Sequence, residues 1–227
     1  MTIPLTNDLL PASFDEAEHR HLVFYSKITC IVAMVLVAGG VGLDLAFYPD
    51  RAVEFAFARL LVVTLIGVTL WAYRFPWGAS HVRGLTYFWI VLPQIMIAWM
   101  IHVTEGEGSI YFVGYTFGVS GICIFLPLSV REAVGFSVFT MLAHVTACQL
   151  RPGGVESWAM LSGHLILIAF FAVIAVTVSI YGGRQRRQTY ALQTQVQGQK
   201  DELQAQNTAL TDIKGQLLQR EKMAALG

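Results

Sequence analysis

The sequence predicts an all-α membrane protein: a bundle of six transmembrane helices with both termini on the cytoplasmic side, followed by a cytoplasmic coiled coil. Three observations carry that expectation. Hydrophobic residues make up 55% of the 227 positions and charged residues only 13%, with a mean hydropathy of +0.57; a soluble domain carries about a quarter charged residues. Apolar runs of about 20 residues, the length that crosses a hydrocarbon core of ~30 Å, recur along the chain. After Tyr181 the apolar character stops and a polar, proline-free helical pattern begins.

The elements follow in order. Residues 1–23 form a polar cytoplasmic leader, in which Ser13-Phe14-Asp15-Glu16 has the Ser-x-x-Glu form of a capping box and predicts a short helix through about His21. This opening is not a cleavable signal peptide, so insertion relies on the first spanning helix. His19 and His21 lie two apart, on different helix faces, and are poor metal partners. The membrane domain, 24–183, holds apolar runs at 24–47, 54–73, 84–102, 109–128, 133–150 and 158–181. Between them lie the breakers Tyr48-Pro49-Asp50, Phe75-Pro76-Trp77-Gly78, Glu105-Gly106-Glu107-Gly108 and Arg151-Pro152-Gly153-Gly154, and a tight turn at 129–132. Pro93 falls inside the third run and predicts a kink. With six spans, Arg20, Lys27, Arg74, Arg83, Arg131 and the cluster Arg184, Arg186, Arg187 share one side, which the positive-inside rule makes cytoplasmic. Trp71, Tyr73, Trp77 and Tyr87 at one interface, with Trp99, Tyr111 and Trp158 at the other, read as aromatic belts.

Zero formal net charge argues against a nucleic-acid partner. Cys30, Cys123 and Cys148 sit in apolar runs and read as small packing residues rather than disulfide partners. No phosphate-binding glycine loop, nucleophile elbow or His-Glu-x-x-His helix is present, so the segment is not expected to be an enzyme or to carry a cofactor.

Ionisable groups inside a membrane are costly and face the bundle interior or a water-filled cavity. Asp44, Arg59, His102, Tyr111, Tyr115, His144 and His164 all fall in the outer half of the predicted bundle, above a nearly apolar cytoplasmic half, and are the candidate ligand contacts. Asp44 with Arg59 reads first as an ion pair between adjacent helices. His144 and His164 each lie ten residues from Gly154 and so at matched depth. His144 and Cys148, four apart on one helix face, with His164 form a weak metal candidate that lacks a further ligand; bis-histidine haem ligation is an equally weak signal. Gly114, Gly118 and Gly121 put small residues on one face, which favours close helix packing. Glu105 and Glu107 read as a solvated acidic turn.

Residues 184–227 form a polar cytoplasmic helix. Val196, Leu203, Leu210, Leu217 and Ala224 repeat every seven residues, whereas the second core position holds Leu192, Gln199, Gln206, Ile213 and Arg220. One apolar and one largely polar seam predict a weak parallel coiled coil, and hence a homodimer.

The closing run Arg220-Glu-Lys-Met-Ala-Ala-Leu-Gly227 resembles the lead-in to the phosphoacceptor helix of sensor histidine kinases, where a His-Glu box follows within a few residues. Here the sequence stops at Gly227, before such a histidine, and so resembles the input half of a kinase without its catalytic half. The resemblance covers roughly the last thirty residues. It implies a two-component phosphorelay protein of the bacterial inner membrane, coupled to a response regulator through the kinase core. The membrane part is similar in topology alone to six-helix quorum-sensing receptor kinases, which implies a small, partly apolar autoinducer-like ligand. The alternatives are the membrane anchor of a nucleotide cyclase and a small transporter; the apolar inner half gives the transporter no continuous polar path.

Overall fold

The computed structural model describes residues 13–224, with side chains described as far as residue 215. Every regular element among them is helical. The long helices are α1 (Phe14–Gly39), α3 (Ala52–Ala72), α5 (Val82–Val103), α7 (Val130–Leu150) and α8 (Trp158–Ala224), with the shorter α2 (Val41–Phe47), α4 (Pro76–Ser80) and α6 (Phe112–Phe125) between them. Single 3-10 turns lie at Pro49–Arg51 and Gly106–Gly108.

Five segments are long and apolar enough to cross a membrane: Phe14–Phe47, Pro49–Ala72, Val82–Val103, Val130–Leu150 and Trp158–Gly215. Only 17–39% of each apolar window is buried. The large apolar side chains that remain, such as Phe57, Leu61, Ile166, Phe170 and Val173, point outward. A water-soluble surface does not carry apolar area on that scale; a lipid-facing one does. The chain is thus a multi-pass membrane protein.

The fourth apolar run is shorter as a helix than its sequence suggests. Residues 109–111 are spent on the approach to α6, and Leu126 is already extended, which leaves 14 helical residues. At 1.5 Å per residue that is ~21 Å, less than the ~30 Å of hydrocarbon. The tight turn beyond it is a complete capping box: Ser129 Oγ accepts from Glu132 N at 3.4 Å, and Ser129 N donates to Glu132 Oε2 at 2.6 Å. Glu132 also accepts from Tyr87 on α5.

Local chemistry explains the other boundaries. The leader helix runs straight into the first span, so α1 begins at Phe14 and continues to Gly39. Gly40 keeps helical angles (φ −61°, ψ −15°) while α2 restarts at Val41. Pro49 and Pro76 each open a helix, where the missing N–H costs nothing. Helix α5 continues through Pro93. A side chain at Gly78 would lie 2.0 Å from the Ala72 carbonyl oxygen, so only glycine lets α4 fold back beneath the end of α3.

The residues form two compact units, Asp15–Arg184 and a second that contains Phe14 and the chain from Gln185 onward. In the first unit α5 is central and packs against α3, α6 and α7. The predicted glycine face is used in part. Gly118 lies against Gln94 and Gly114 against Ile97, both on α5, while no atom lies within 4 Å of a Cβ at Gly121. In the membrane portion of α8 the buried apolar residues Leu161, Ile168 and Ala175 recur every seven positions, a narrow stripe. In the second unit residues 191–215 are exposed, Leu192, Val196, Leu203, Leu210 and Ile213 among them. There Phe14 meets Tyr190 edge-on at 5.7 Å and lies beneath the Arg187 guanidinium at 5.6 Å. The heptad positions Leu217, Arg220 and Ala224 lie beyond the described side chains, and the end of the kinase-like run lies outside the described residues.

Two expectations need correction. The half expected to be nearly apolar contains a buried hydrogen-bonded cluster, with Thr86 Oγ1 2.9 Å from Ser26 Oγ and 3.1 Å from the Tyr73 hydroxyl. Three neutral hydroxyls satisfy one another there, and residues this small leave hydropathy almost unchanged. The aromatic belts are also thinner than expected. Trp71, Trp77 and Trp158 are exposed, but Tyr73 and Tyr111 are buried and bonded inward.

Candidate functional site

The predicted site residues separate into two groups. The first is a closed ion-pair lock. Arg59 on α3 donates from Nε to Asp44 Oδ2 at 2.7 Å and from Nη2 to Asp44 Oδ1 at 2.8 Å. Its Nη1 donates to the Val37 carbonyl at 3.1 Å. The Tyr111 hydroxyl donates to Asp44 Oδ1 at 2.7 Å, so three donors converge on one carboxylate. Tyr111 is held by rings: Tyr48 stacks on it at 5.2 Å and Phe55 meets it edge-on at 5.5 Å. Tyr48 in turn donates to Glu105. The pair is buried, with Asp44 at 0% and Arg59 at 7% exposure.

Bidentate geometry and a third donor are what allow two charges to persist without water. Helix α2 exists to present Asp44: Gly40 lets the chain pass so close to Arg59 that a Cβ there would sit 2.0 Å from Nη1. The expected ion pair is therefore present. It is already satisfied by protein groups, which makes it an architectural clasp joining α1, α2, α3 and the entry to α6.

The second group is the opposite case. His144 on α7 and His164 on α8 bring their rings to 5.4 Å, as their matched depth anticipated. Tyr115 on α6 meets His144 edge-on at 5.6 Å, and Phe112 lies flat against His164 at 3.7 Å with an 8° interplanar angle. His144 and Tyr115 are fully buried. Neither nitrogen of His144 has a hydrogen-bond partner, nor has the Tyr115 hydroxyl or Nδ1 of His164. Buried polar groups are nearly always paired, so four unpaired atoms at one point mark a place where something polar is accommodated.

His102, in the last turn of α5, joins neither group, and its Nδ1 is buried without a partner. No group of three or more His, Cys, Asp or Glu side chains among the described residues is placed to hold a metal ion, so His144, Cys148 and His164 do not converge on one. The three cysteines are buried and free.

No protein-family model matches the chain, and no curated protein or solved structure matches it. The site's chemistry therefore rests on its own geometry.

Glu107, expected to be solvated, is the residue that sequence reasoning misplaced. It is 3% exposed. Its Oε1 accepts from Glu156 N at 2.7 Å and Ser157 N at 2.6 Å, the two residues that precede α8. Burial alone would push the Glu107 carboxyl up, but these backbone N–H groups and the nearby Arg151 charge outweigh it and hold it below its ordinary range. Its Oε2 is buried and unpaired, and Glu107 lies within electrostatic reach of both imidazoles. Gly106, at φ +63°, turns the chain so that Glu107 points inward, and Arg151 braces the turn by donating to the Glu105 carbonyl at 3.1 Å. The signal in the sequence was the glycine-flanked pattern, which also serves ordinary solvated turns. Gln94, buried with Oε1 unpaired and set against Gly118, was missed entirely, since one amide in an apolar run has no periodic signature.

Proposed function

We propose that this chain is the sensing and relay module of a two-component sensor histidine kinase. In this reading it has six membrane spans and cytoplasmic termini. A small, partly apolar autoinducer-like molecule enters the outer half of the bundle, and a dimeric stalk passes the signal to a kinase core and its response regulator. The observation that carries the reading is the placement of His164. It belongs to the unsatisfied cluster and also to α8, which runs unbroken from Trp158 to Ala224. A ligand that satisfies Tyr115, His144 and His164 bears directly on the helix that leaves the membrane domain.

The narrow buried stripe of α8 supports the same reading, because a helix held along one line moves at lower cost than one held on two faces. A ligand shifts such an equilibrium only by its differential affinity, and moving 1:99 to 99:1 needs about 5.5 kcal/mol. The ion-pair lock falls outside the ligand contacts, because its donors already have partners.

The test uses the full protein in lipid with spin labels on the stalk at Val196 and a panel of amphiphilic signal molecules as the probe. A saturable change in inter-stalk distance, lost in His164→Gln and retained in Arg59→Lys, is the expected result. A stalk that stays monomeric and unchanged with every probe rejects the reading. A His-Glu-x-x-x-Pro box in the codons that follow Gly227 would carry the kinase assignment, and a cyclase domain there would overturn it.

A further inference from the structure

We infer that His144 and His164 form a shared proton-binding site, reached from the turn that carries Glu107, so that the bundle reads the acidity of the compartment facing that turn. The inference deepens the sensor reading and rests on it only for the output through α8.

The occupant follows from the space and the donor set. His144 and Tyr115 are fully buried, and Phe112 lies flush on one face of His164. An organic ligand reaches His144 and Tyr115 only after the helices around them part, whereas a proton reaches them in the closed bundle, so proton binding is a separate event from ligand binding at the same cluster. A metal ion is disfavoured because no third ligand converges.

A neutral imidazole has one donor and one acceptor nitrogen, and an imidazolium has two donors. Each ring nitrogen lies ~1.1 Å from its centroid. Centroids 5.4 Å apart therefore let two nitrogens approach to about 3 Å after ring rotation, which is hydrogen-bond distance. One added proton would join a nitrogen of His144 and Nδ1 of His164, both unpaired, in an N–H⁺···N pair.

The surroundings admit one charge at most. Helix α6 contributes the neutral Tyr115, while His102, in the last turn of α5, stands outside the pair's surroundings. Helix α7 contributes Cys148 one turn beyond His144, and Arg151 follows its end, engaged with the Glu105 carbonyl and with Glu156 at 3.1 Å. The turn between α5 and α6 supplies Glu107, within electrostatic reach of both imidazoles. The neighbouring charges Asp44 and Arg59 are closed on each other and on Tyr111. Among the described residues, Glu107 is thus the negative charge that faces the pair, with Arg151 engaged by the Glu105 carbonyl and Glu156. Its unpaired Oε2 leaves a negative charge to act on an imidazolium through space while Oε1 keeps its bonds to Glu156 and Ser157. Protonation then tightens Glu107, His164 and the start of α8 against one another.

The proton alone is the probe. The full chain, with ring-labelled histidine, is placed in lipid nanodiscs and followed by NMR from pH 8 to 3.5, with His144→Gln and His164→Gln assigning the two signals against His19, His21, His81 and His102. The expected result is that both rings titrate in one coupled event. Removing either ring, or replacing Glu107 by Gln, then moves the remaining midpoint by about one pH unit or more, the size of shift that marks interacting sites. Two rings that stay neutral throughout, or that titrate independently, overturn the proposal on the unmodified protein, whether or not the variants fold. Coupled titration with an unmoved stalk leaves the proton site standing and removes the relay.

Discussion

At Asp44 two physical demands meet. A carboxylate without water needs charge and hydrogen bonds together, and Arg59 and Tyr111 supply both. Asp44→Ala leaves the Arg59 guanidinium buried and unpaired, and thermal unfolding in detergent should show a loss of about 3–5 kcal/mol. Asp44→Ala combined with Arg59→Leu should recover most of it, because the uncompensated charge is gone. Gly40→Ala tests the same clasp from its other side. Its new methyl would lie 2.0 Å from Arg59 Nη1 and displace a side chain that is not free to leave. The loss should fall to a few tenths of a kcal/mol in an Arg59→Ala background, so the two changes are expected to be strongly non-additive. The pairing of Asp44 with Arg59 was legible in the sequence as two opposite charges in adjacent apolar helices. Tyr111, 67 residues from Asp44, was not legible as their partner.

At the scale of an element, the start of α8 depends on a residue outside it. A helix leaves its first N–H groups without intrahelical partners, and here Glu107 reaches across from the 106–108 turn to bond the two residues before the helix. The carboxyl's ordinary value is 4.5 and its folded value is lower. The stabilisation is therefore complete above pH about 4.5 and lost as pH falls through the folded value. Amide protection at residues 156–160 should fall below that point, and in Glu107→Ala, which removes the acceptor, it should be low at every pH while α3 stays protected. The same reasoning separates α6 from the other spans. Its apolar run is long enough on paper, yet the chain spends both ends on turns. Hydropathy records composition, and it does not register where Ser109 and Leu126 leave helical geometry.

For the whole molecule, the stalk's exposed leucines and the bundle's exposed apolar belt call for different solvents. The belt is answered by lipid. Val196, Leu203 and Leu210 recur every seven residues on the polar segment and are exposed; in the proposed dimer they would pack against the same seam of a second copy. Full-length protein in nanodiscs should therefore crosslink as a dimer through a cysteine placed at Gln199, and Leu203→Asp with Leu210→Asp should reduce that crosslinking at least tenfold without affecting insertion. A wild-type chain that does not crosslink at any stalk position would remove the dimer from the reading.

Apolar runs, proline and glycine breaks are local properties, and they were enough to place the five long apolar helices and the change in character after Tyr181. Which polar groups are satisfied is a property of the assembled bundle. The structure alone separates a closed lock at Asp44 from an open cluster at His144, and turns Glu107 from a solvated acid into the hook that holds α8. Satisfaction depends on atoms that approach from distant parts of the chain, and no spacing within one segment encodes them.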